Sequence, residues 1–289
     1  MWFWFAVLTG VFSAVSVILN KRALYNVSAV LVSWTLFVLP LPFLFIIVLR
    51  KGIPQINTMF IIGVIVSSVI YAVTKTISLH SIKNNFLSKI FPLTAFGTLF
   101  SYIFALIFLG EKINPIPLFG LFMIIIGSYI LNVDSAKENI LLPLKLLVTH
   151  KESFMFILAM GFTSITGIFD KLGITNTTPN NAFFVLFIED IILSVLLSIF
   201  LLKQEKNWFH DLRKHFWLLL VGSIIYTGVA LFFLEGIITG KVALVGGIKK
   251  LEILFVLTLS YLFFKDKPSN QTWIGTIVML IGVVLIKLG

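Results

Sequence analysis

The stretch LGEKINPIPLFGLFMIIIG, residues 109–127, recurs in a related form as FKDKPSNQTWIGTIVMLIG, residues 264–282. Each copy has an acid followed by a lysine, then a glycine, and a second glycine seven residues later, at a constant offset of 155 residues. A second match, with an offset of 150, relates Asn20-Lys21 to Asp170-Lys171 at the ends of two other apolar runs. Glycines spaced in this way lie near one helix face, where two backbones can approach closely. The pattern predicts two copies of one helical unit.

The composition is that of a membrane protein. Of the 289 residues, 59% are hydrophobic and 12% are charged, whereas soluble domains have about 45–50% apolar and about 25% charged residues. A water-soluble fold of this size leaves roughly a quarter of its chain surface in water, and this chain has too few polar residues to cover that surface. The net charge of +10 comes mostly from the short connections between apolar runs. It indicates contact with anionic lipid headgroups, and nucleic-acid binding is not expected.

The apolar residues fall into ten runs. A helix that crosses a bilayer needs about 20 mainly apolar residues. The first run has no basic segment before it, so it is interpreted as a spanning helix and not as a cleaved signal. Helices satisfy their own backbone groups in lipid, and the continuous runs lack the alternation of barrel strands. We therefore predict an all-α integral membrane protein with ten transmembrane helices, at about 2–20, 29–49, 58–80, 86–109, 115–132, 153–172, 182–202, 216–238, 242–264 and 271–288.

The ten helices divide into two halves. Residues 1–132 are predicted to form a first five-helix repeat, residues 133–152 a connecting loop, and residues 153–289 a second five-helix repeat. Because five is odd, the second copy enters the membrane from the side opposite to the first. The sequence therefore predicts two inverted five-helix repeats, an architecture that many secondary transporters use to bind a substrate near the membrane midplane.

The repeated motifs resemble those of the EamA-type members of the drug/metabolite transporter superfamily. The residues that carry the resemblance are Gly110-Glu111-Lys112 with Gly120 and Gly127, and Phe264-Lys265-Asp266-Lys267 with Gly275 and Gly282. The resemblance covers essentially the whole chain. It implies a ten-helix transporter in the cell (inner or plasma) membrane with both termini in the cytoplasm. The odd-numbered connections contain eleven lysine or arginine residues, and the even-numbered connections and the termini contain six. This count favours termini outside, whereas the resemblance implies termini inside, and we follow the resemblance.

The ninth run contains Gly246-Gly247-Ile248-Lys249-Lys250-Leu251. This segment is similar to the Gly-Ala-Leu-Asn-Lys segment of nucleotide-sugar transporters and to the paired Lys-Arg of phosphate-ester translocators in the same superfamily. The resemblance implies that Lys250 takes the position of the motif's lysine, that Lys249 replaces its asparagine, and that both face a cavity. The replaced asparagine is a departure from the nucleotide-sugar pattern.

Basic residues inside the predicted helices mark a candidate substrate site, because a charge near the bilayer centre costs at least about 2.5–3.5 kcal/mol. Lys249, Lys250 and Glu252 lie in the ninth run, and Lys249 and Glu252 share a helix face. We predict that the lysines bind a substrate carboxylate or phosphate and that Glu252 orients them; the alternative is a self-neutralising structural pair of Lys249 and Glu252. Lys75 and Tyr71 are further substrate candidates, although a lysine near a helix end can also snorkel to the interface.

Acidic residues inside the predicted helices are candidates for coupling transport to protons. They are Glu189 and Asp190 in the seventh run and Glu235 in the eighth. Neighbouring residues lie about 100° apart around a helix, so Glu189 and Asp190 are not expected to point at one spot. Glu235 lies near a helix end, where solvation at the interface is the alternative. Interfacial anchoring is the interpretation for three further residues, Lys21, Asp170 and Lys171.

The predicted function is that of a secondary transporter, which moves a small polar metabolite, anionic or zwitterionic, by alternating access. No catalytic residue, cofactor or metal site is expected. There are no cysteines, and the four histidines lack ligand spacing apart from the weak group His210-Asp211 with His215, which argues against an enzyme acting on lipid. The alternatives are a cation exporter of the small-multidrug type, although the first helix lacks the glutamate those exporters use, and a non-transporting scaffold or lipid-carrier flippase subunit. The expected partners are a small-molecule substrate and the lipid bilayer, and the chain is expected to be a monomer.

Overall fold

The computed structural model describes residues 1–84, 94–133, 151–256 and 270–289. Apart from two short strands, β1 (Gln55–Ile56) and β2 (Thr177–Thr178), the regular structure in these ranges is helical. The helices are α1 (Trp2–Leu24), α2 (Ala29–Val38), α3 (Leu41–Lys51), α4 (Thr58–Asn84), α5 (Thr94–Leu109), α6 (Pro115–Val133), α7 (Lys151–Thr175), α8 (Ala182–Gln204), α9 (Trp208–Lys214), α10 (Phe216–Thr239), α11 (Val242–Lys249) and α12 (Asn270–Leu288).

Six helical segments in the described ranges are long and apolar enough to cross a membrane: Trp2–Leu24, Ala29–Lys51, Thr58–His80, Ile157–Thr175, Ala182–Gln204 and Phe216–Thr239. Three shorter apolar helices, Gly97–Leu109, Pro115–Ile130 and Trp273–Leu288, coincide with further predicted spans. The second span is α2 followed by α3, since Pro40 has no N–H to continue the helical ladder. The ninth predicted span begins as α11, and its last residues lie outside the described ranges. The predicted all-α membrane fold is confirmed.

The helices expose apolar residues, and their buried polar residues lie within a largely apolar core. On α4, the exposed positions include Ile61, Ile65, Val69 and Val73 at four-residue spacing. The buried Ser67 lies on the opposite face. This is the reverse of a soluble helix, whose apolar stripe faces the core. An apolar exterior with polar groups enclosed is the arrangement that a lipid environment requires.

The crossing of α6 and α12 gives the relative direction of the two halves. A Cβ atom on Gly120 would lie 2.6 Å from the carbonyl oxygen of Gly282, and one on Gly127 would lie 2.7 Å from that of Gly275. The first glycine of each helix therefore lies against the second glycine of the other helix, so the two helices run antiparallel. Because α6 and α12 are matching helices of the two copies, the halves have opposite directions. The predicted inverted repeat is confirmed.

The contacts between helices follow the same two-fold relation. Exchanging the halves replaces α1, α4 and α5 by α7, α10 and α11. Accordingly α4 packs against α7 as α10 packs against α1, and α5 packs against α7 as α11 packs against α1. The halves are therefore interleaved about a pseudo-two-fold axis, and neither half forms a separate lobe.

One end of the bundle, called the terminal side here, holds both chain ends. Trp2 lies against Gly240, and Gly289 lies against Pro117. At the same end β1 pairs with β2 in an antiparallel bridge between the halves. The amide of Asn57 also donates to Asn176 over 2.8 Å. The halves are thus joined on the terminal side.

The close crossing of α6 and α12 makes a stability prediction. Gly120→Ala would place a methyl group against the backbone of α12, and such overpacking costs about 1–3 kcal/mol. The matched control is Gly222→Ala in α10, where a Cβ meets nothing within 4 Å and helix propensity favours alanine by up to about 1 kcal/mol. Thermal unfolding in detergent should show a lower melting temperature for Gly120→Ala alone. Equal melting temperatures for the two variants would contradict the close crossing.

Candidate functional site

The ninth span is interrupted at its basic residues. Helix α11 ends at Lys249, residues 250–251 form a turn, and the chain is helical again at 252–256. The amide of Leu251 donates to Ile248 over 2.9 Å, a bond to the third residue back that tightens the helix. The continuous helix predicted for this run is wrong at this point. Two successive glycines, Gly246 and Gly247, weaken the helix before the break.

The first helix packs directly against this break. A Cβ atom on Gly10 would lie 3.1 Å from the carbonyl oxygen of Lys249 and 3.4 Å from the backbone nitrogen of Glu252. One turn further along α1, the hydroxyl of Ser13 donates to a carboxylate oxygen of Glu252. Transporters commonly form substrate sites where spanning helices are discontinuous, so the break marks a candidate substrate site.

Two adjoining cavities lie beside the break. The acidic cavity, with a volume of about 130 Å³, is lined by Asp170, Glu189 and Asp190. The basic cavity, with a volume of about 240 Å³, is lined by Lys75, Lys249 and Lys250, together with Glu252. Lys249 lines both cavities, as do Tyr71, Thr163, Gly167 and Phe233. The two cavities are therefore parts of one crevice, whose walls come from both halves of the chain.

Three carboxyl groups converge on the acidic cavity. Asp190 is 2% exposed and Glu189 is 7% exposed. Asp170 accepts a hydrogen bond from the hydroxyl of Ser67 on α4, and its carboxyl group lies close to that of Glu189. In the part of the chain that the structure describes, Oε1 of Glu189 has no hydrogen-bond partner. A proton or a bound cation would relieve the repulsion among these groups, which is strong away from water.

Two predictions about these acids are wrong. Asp170 was expected at the interface as an anchor, but it lines the acidic cavity. Glu189 and Asp190 were not expected to share a target, yet both line this cavity. The cavity extends around the inner side of α8, so two side chains about 100° apart can both reach it.

Three lysines converge on the basic cavity. Lys75 points into the bundle, and its Nζ lies 4.0 Å from the centroid of the Tyr226 ring. A cation over an aromatic face is attracted by the ring, which offsets part of the cost of burial. Within the described ranges, Glu252 does not form the self-neutralising pair with Lys249, because it accepts a hydrogen bond from Ser13 and no ion pair joins it to Lys249. Among the described residues, none of the three lysines forms an ion pair with a carboxylate.

A pair of tyrosines joins the halves between the charged groups. The hydroxyl groups of Tyr71 on α4 and Tyr226 on α10 hydrogen-bond to each other. Both rings also meet Phe37 edge to face, at centroid distances of 6.1 and 5.9 Å. The tyrosines lie on the matching helices α4 and α10, and they are 155 residues apart, the offset that relates α6 to α12. Their contact therefore lies close to the pseudo-two-fold axis. Applying that offset to Tyr71 would have identified Tyr226 from the sequence.

The charges do not follow the symmetry of the fold. The counterpart of Asp170 is the neutral Asn20, which is buried and donates to Ser16 over 3.2 Å. The N-caps Ser28 and Asn181 align α2 with α8, and this alignment matches Glu189 and Asp190 to Leu36 and Phe37. All three cavity carboxylates therefore come from the second half. A symmetric frame encloses a crevice with a negative end and a positive end.

The other sequence candidates lie elsewhere. Glu235 is half-buried one turn before the end of α10 and lines neither cavity. The motif Phe264-Lys265-Asp266-Lys267 lies outside the described residues. Within the described ranges, no group of three or more His, Asp or Glu side chains is arranged to hold a metal ion.

Comparison with known proteins gives the family. The profile of the EamA-like transporter family matches residues 1–133 and 150–288. The chain belongs to the EamA-like transporter family. Membership in this family implies secondary transport across a membrane without enzymatic chemistry, and it leaves the substrate open. The resemblance seen in the repeated motifs is confirmed.

Two further comparisons concern related sequences and the fold. No curated protein matches the sequence. A solved crystal structure matches with a TM-score of 0.71 at 13% sequence identity, over 98% of this chain and 96% of the other. At that identity the likeness supports the fold alone.

Oε1 of Glu189, which has no hydrogen-bond partner among the described residues, leads to a prediction about stability. Glu189→Gln removes a repelling charge beside Asp170 and supplies an amide donor, so the free energy of unfolding should rise by about 1 kcal/mol. The melting temperature should rise by roughly 2–4 °C. The control is Glu205→Gln, at the C-terminal end of the same helix, α8, and outside both cavities; its melting temperature should not change. A melting temperature of Glu189→Gln below that of the native protein would contradict this account.

Proposed function

We propose that a single chain of this EamA-like transporter carries a small zwitterionic metabolite, such as an amino acid, across the membrane by alternating access. The observation that carries the proposal is the crevice with separated charges. Carboxyl groups line one end, lysines line the other, and Lys249 and Tyr71 line both. A substrate with an ammonium and a carboxylate would satisfy both ends at once.

The charges at each end support specific substrate contacts. A substrate carboxylate would bind at Lys249 and Lys250, with Lys75 as a third cation and Glu252 held aside by Ser13. The ammonium would bind among the three carboxyl groups of the acidic cavity. Truncating one partner of a buried charge pair is strongly destabilising because the other charge stays unpaired. Charged groups line both ends of the crevice, and a dipolar ligand would compensate them.

Proton coupling is assigned in this proposal to Glu189 and Asp190. Carboxyl groups that bind the ammonium in one step can bind protons in another, and competition for the same groups would link the two movements. Glu235 is left out of this role because it lines neither cavity. The hydroxyl groups of Tyr71 and Tyr226 lie between the two ends and would contact the middle of the substrate.

One ligand panel distinguishes the zwitterion from two other substrate classes. An organic cation would use the acidic cavity alone, and an anion such as a phosphate ester would use the basic cavity alone. A panel that removes one charge at a time distinguishes them. It contains amino acids, the corresponding amines without the carboxylate, and the corresponding α-keto acids without the ammonium.

Thermal unfolding of the purified protein should be shifted upward by at least one amino acid of the panel and by none of its single-charge relatives. A ligand at 100 times its Kd adds about 2.7 kcal/mol to the free energy of unfolding. Lys249→Gln and Asp170→Asn should each lose the shift, whereas Lys203→Gln, outside both cavities, should keep it. A shift with the amine alone would indicate a cation exporter, and a shift with the keto acid alone an anion carrier.

We also propose that the termini lie in the cytoplasm, as the family resemblance implies. The chain has no native cysteine, so Lys206→Cys gives a single thiol in the connection between α8 and α9, at an exposed position. A membrane-impermeant thiol reagent added to intact cells should label it. Protection from outside, with labelling after the cells are opened, would reverse the orientation.

A further inference from the structure

We propose that Glu111 is a positioning residue that holds the crevice closed on the terminal side, and that its release opens the crevice to that side. The proposal rests on the transport function proposed above. Glu111 lies between α5 and α6, in the first half. Its two carboxylate oxygens bind two different segments of the second half.

The contacts of Glu111 form a three-way junction, called the latch here. Its Oε1 accepts from Nζ of Lys171 at 2.6 Å, and its Oε2 accepts from the backbone N–H of Val242 at 2.9 Å. Nζ of Lys171 also donates to the carbonyl oxygen of Gly240 at 2.9 Å. The carboxylate of Glu111 therefore connects the end of α7 to the start of α11, and Lys171 connects α7 to Gly240, just before α11.

Burial sets the latch apart from the other contacts on this side. The side chain of Glu111 is 9% exposed and that of Lys171 is 19% exposed. The nearby hydrogen bonds from Lys241 to the carbonyl oxygen of Lys112 and from Asn57 to Asn176 lie at the exposed surface. Charge-assisted hydrogen bonds away from water are stronger than exposed ones. In addition, Glu111 lies at the first N–H of α11, where the helix dipole favours a negative charge.

Both segments held by the latch lead directly into the crevice. Lys171 follows Asp170, which lines the acidic cavity. Val242 begins α11, and that helix ends at Lys249, which lines both cavities. A substrate that draws Asp170 and Lys249 into new positions therefore moves the two partners of Glu111. The latch thus connects occupancy of the crevice with closure of the terminal side.

Opening the terminal side requires Glu111 to leave both partners. Releasing Glu111 raises the free energy of the open state relative to the closed state, because Lys171 and the N–H of Val242 then lose a carboxylate that water must replace. Weakening the latch should shift the population toward the state open on the terminal side and away from the state open on the opposite side. A general loosening of the structure would increase access from both sides, whereas loss of the latch increases access from the terminal side and decreases it from the other.

The experiment uses Ala230→Cys as a reporter. Ala230 lines the acidic cavity, and the chain has no native cysteine. An impermeant thiol reagent is applied to vesicles of each orientation. Labelling of the Lys206→Cys variant shows which side of the protein faces outward in each preparation. Adding Glu111→Gln should raise the labelling rate from the terminal side at least about fivefold and lower it from the opposite side. Glu205→Gln, outside the latch, should leave both rates unchanged.

Unchanged rates from both sides, or equal increases from both sides, would overturn the proposal. Glu111→Asp provides a second variant, which keeps the charge but withdraws it by one methylene group, and it should change both rates in the same directions by a smaller factor. The readout is accessibility and does not depend on the substrate. A negative ligand panel with a positive labelling result therefore rejects the zwitterion alone, and the reverse combination rejects the latch alone.

Discussion

The cost of placing charged groups at membrane depth is the constraint on which the rest of the structure depends. A charge in the bilayer is tolerated when it faces a cavity or a partner. Here the carboxyl groups around Asp170 and the lysines around Lys249 line one crevice between the halves. The apolar faces of helices such as α4 are turned outward.

The two halves meet in different ways at different depths. At the crossing of α6 and α12 they approach through glycines, with no polar contact required. In the centre the Tyr71 and Tyr226 hydroxyls join them close to the pseudo-two-fold axis. On the terminal side Glu111 joins them through charge. The first contact is a close backbone crossing, whereas the other two are hydrogen bonds that can be exchanged.

The sequence predicted the spans, the inverted repeat and the lysines of the crevice, because apolar length, repeated glycines and buried charge are all readable along one chain. It did not predict the break at Lys250, because local helix propensity does not reveal how closely Gly10 of another helix approaches. It assigned Asp170 to the interface, because the sequence gives the distance of a residue from the helix end but not the direction in which its side chain points. The partner of Glu252 was missed for the same reason, since Ser13 lies 239 residues away.

The central claim is that one crevice holds opposite charges of a substrate at its two ends. The most direct measurement is an experimental structure of the protein with the amino acid that gives the largest thermal stabilisation. The account predicts the ligand's carboxylate at Lys249 and Lys250, and its ammonium within hydrogen-bond distance of Asp170 or Glu189. A ligand bound outside the crevice, or bound with its carboxylate toward the acidic cavity, would contradict the account.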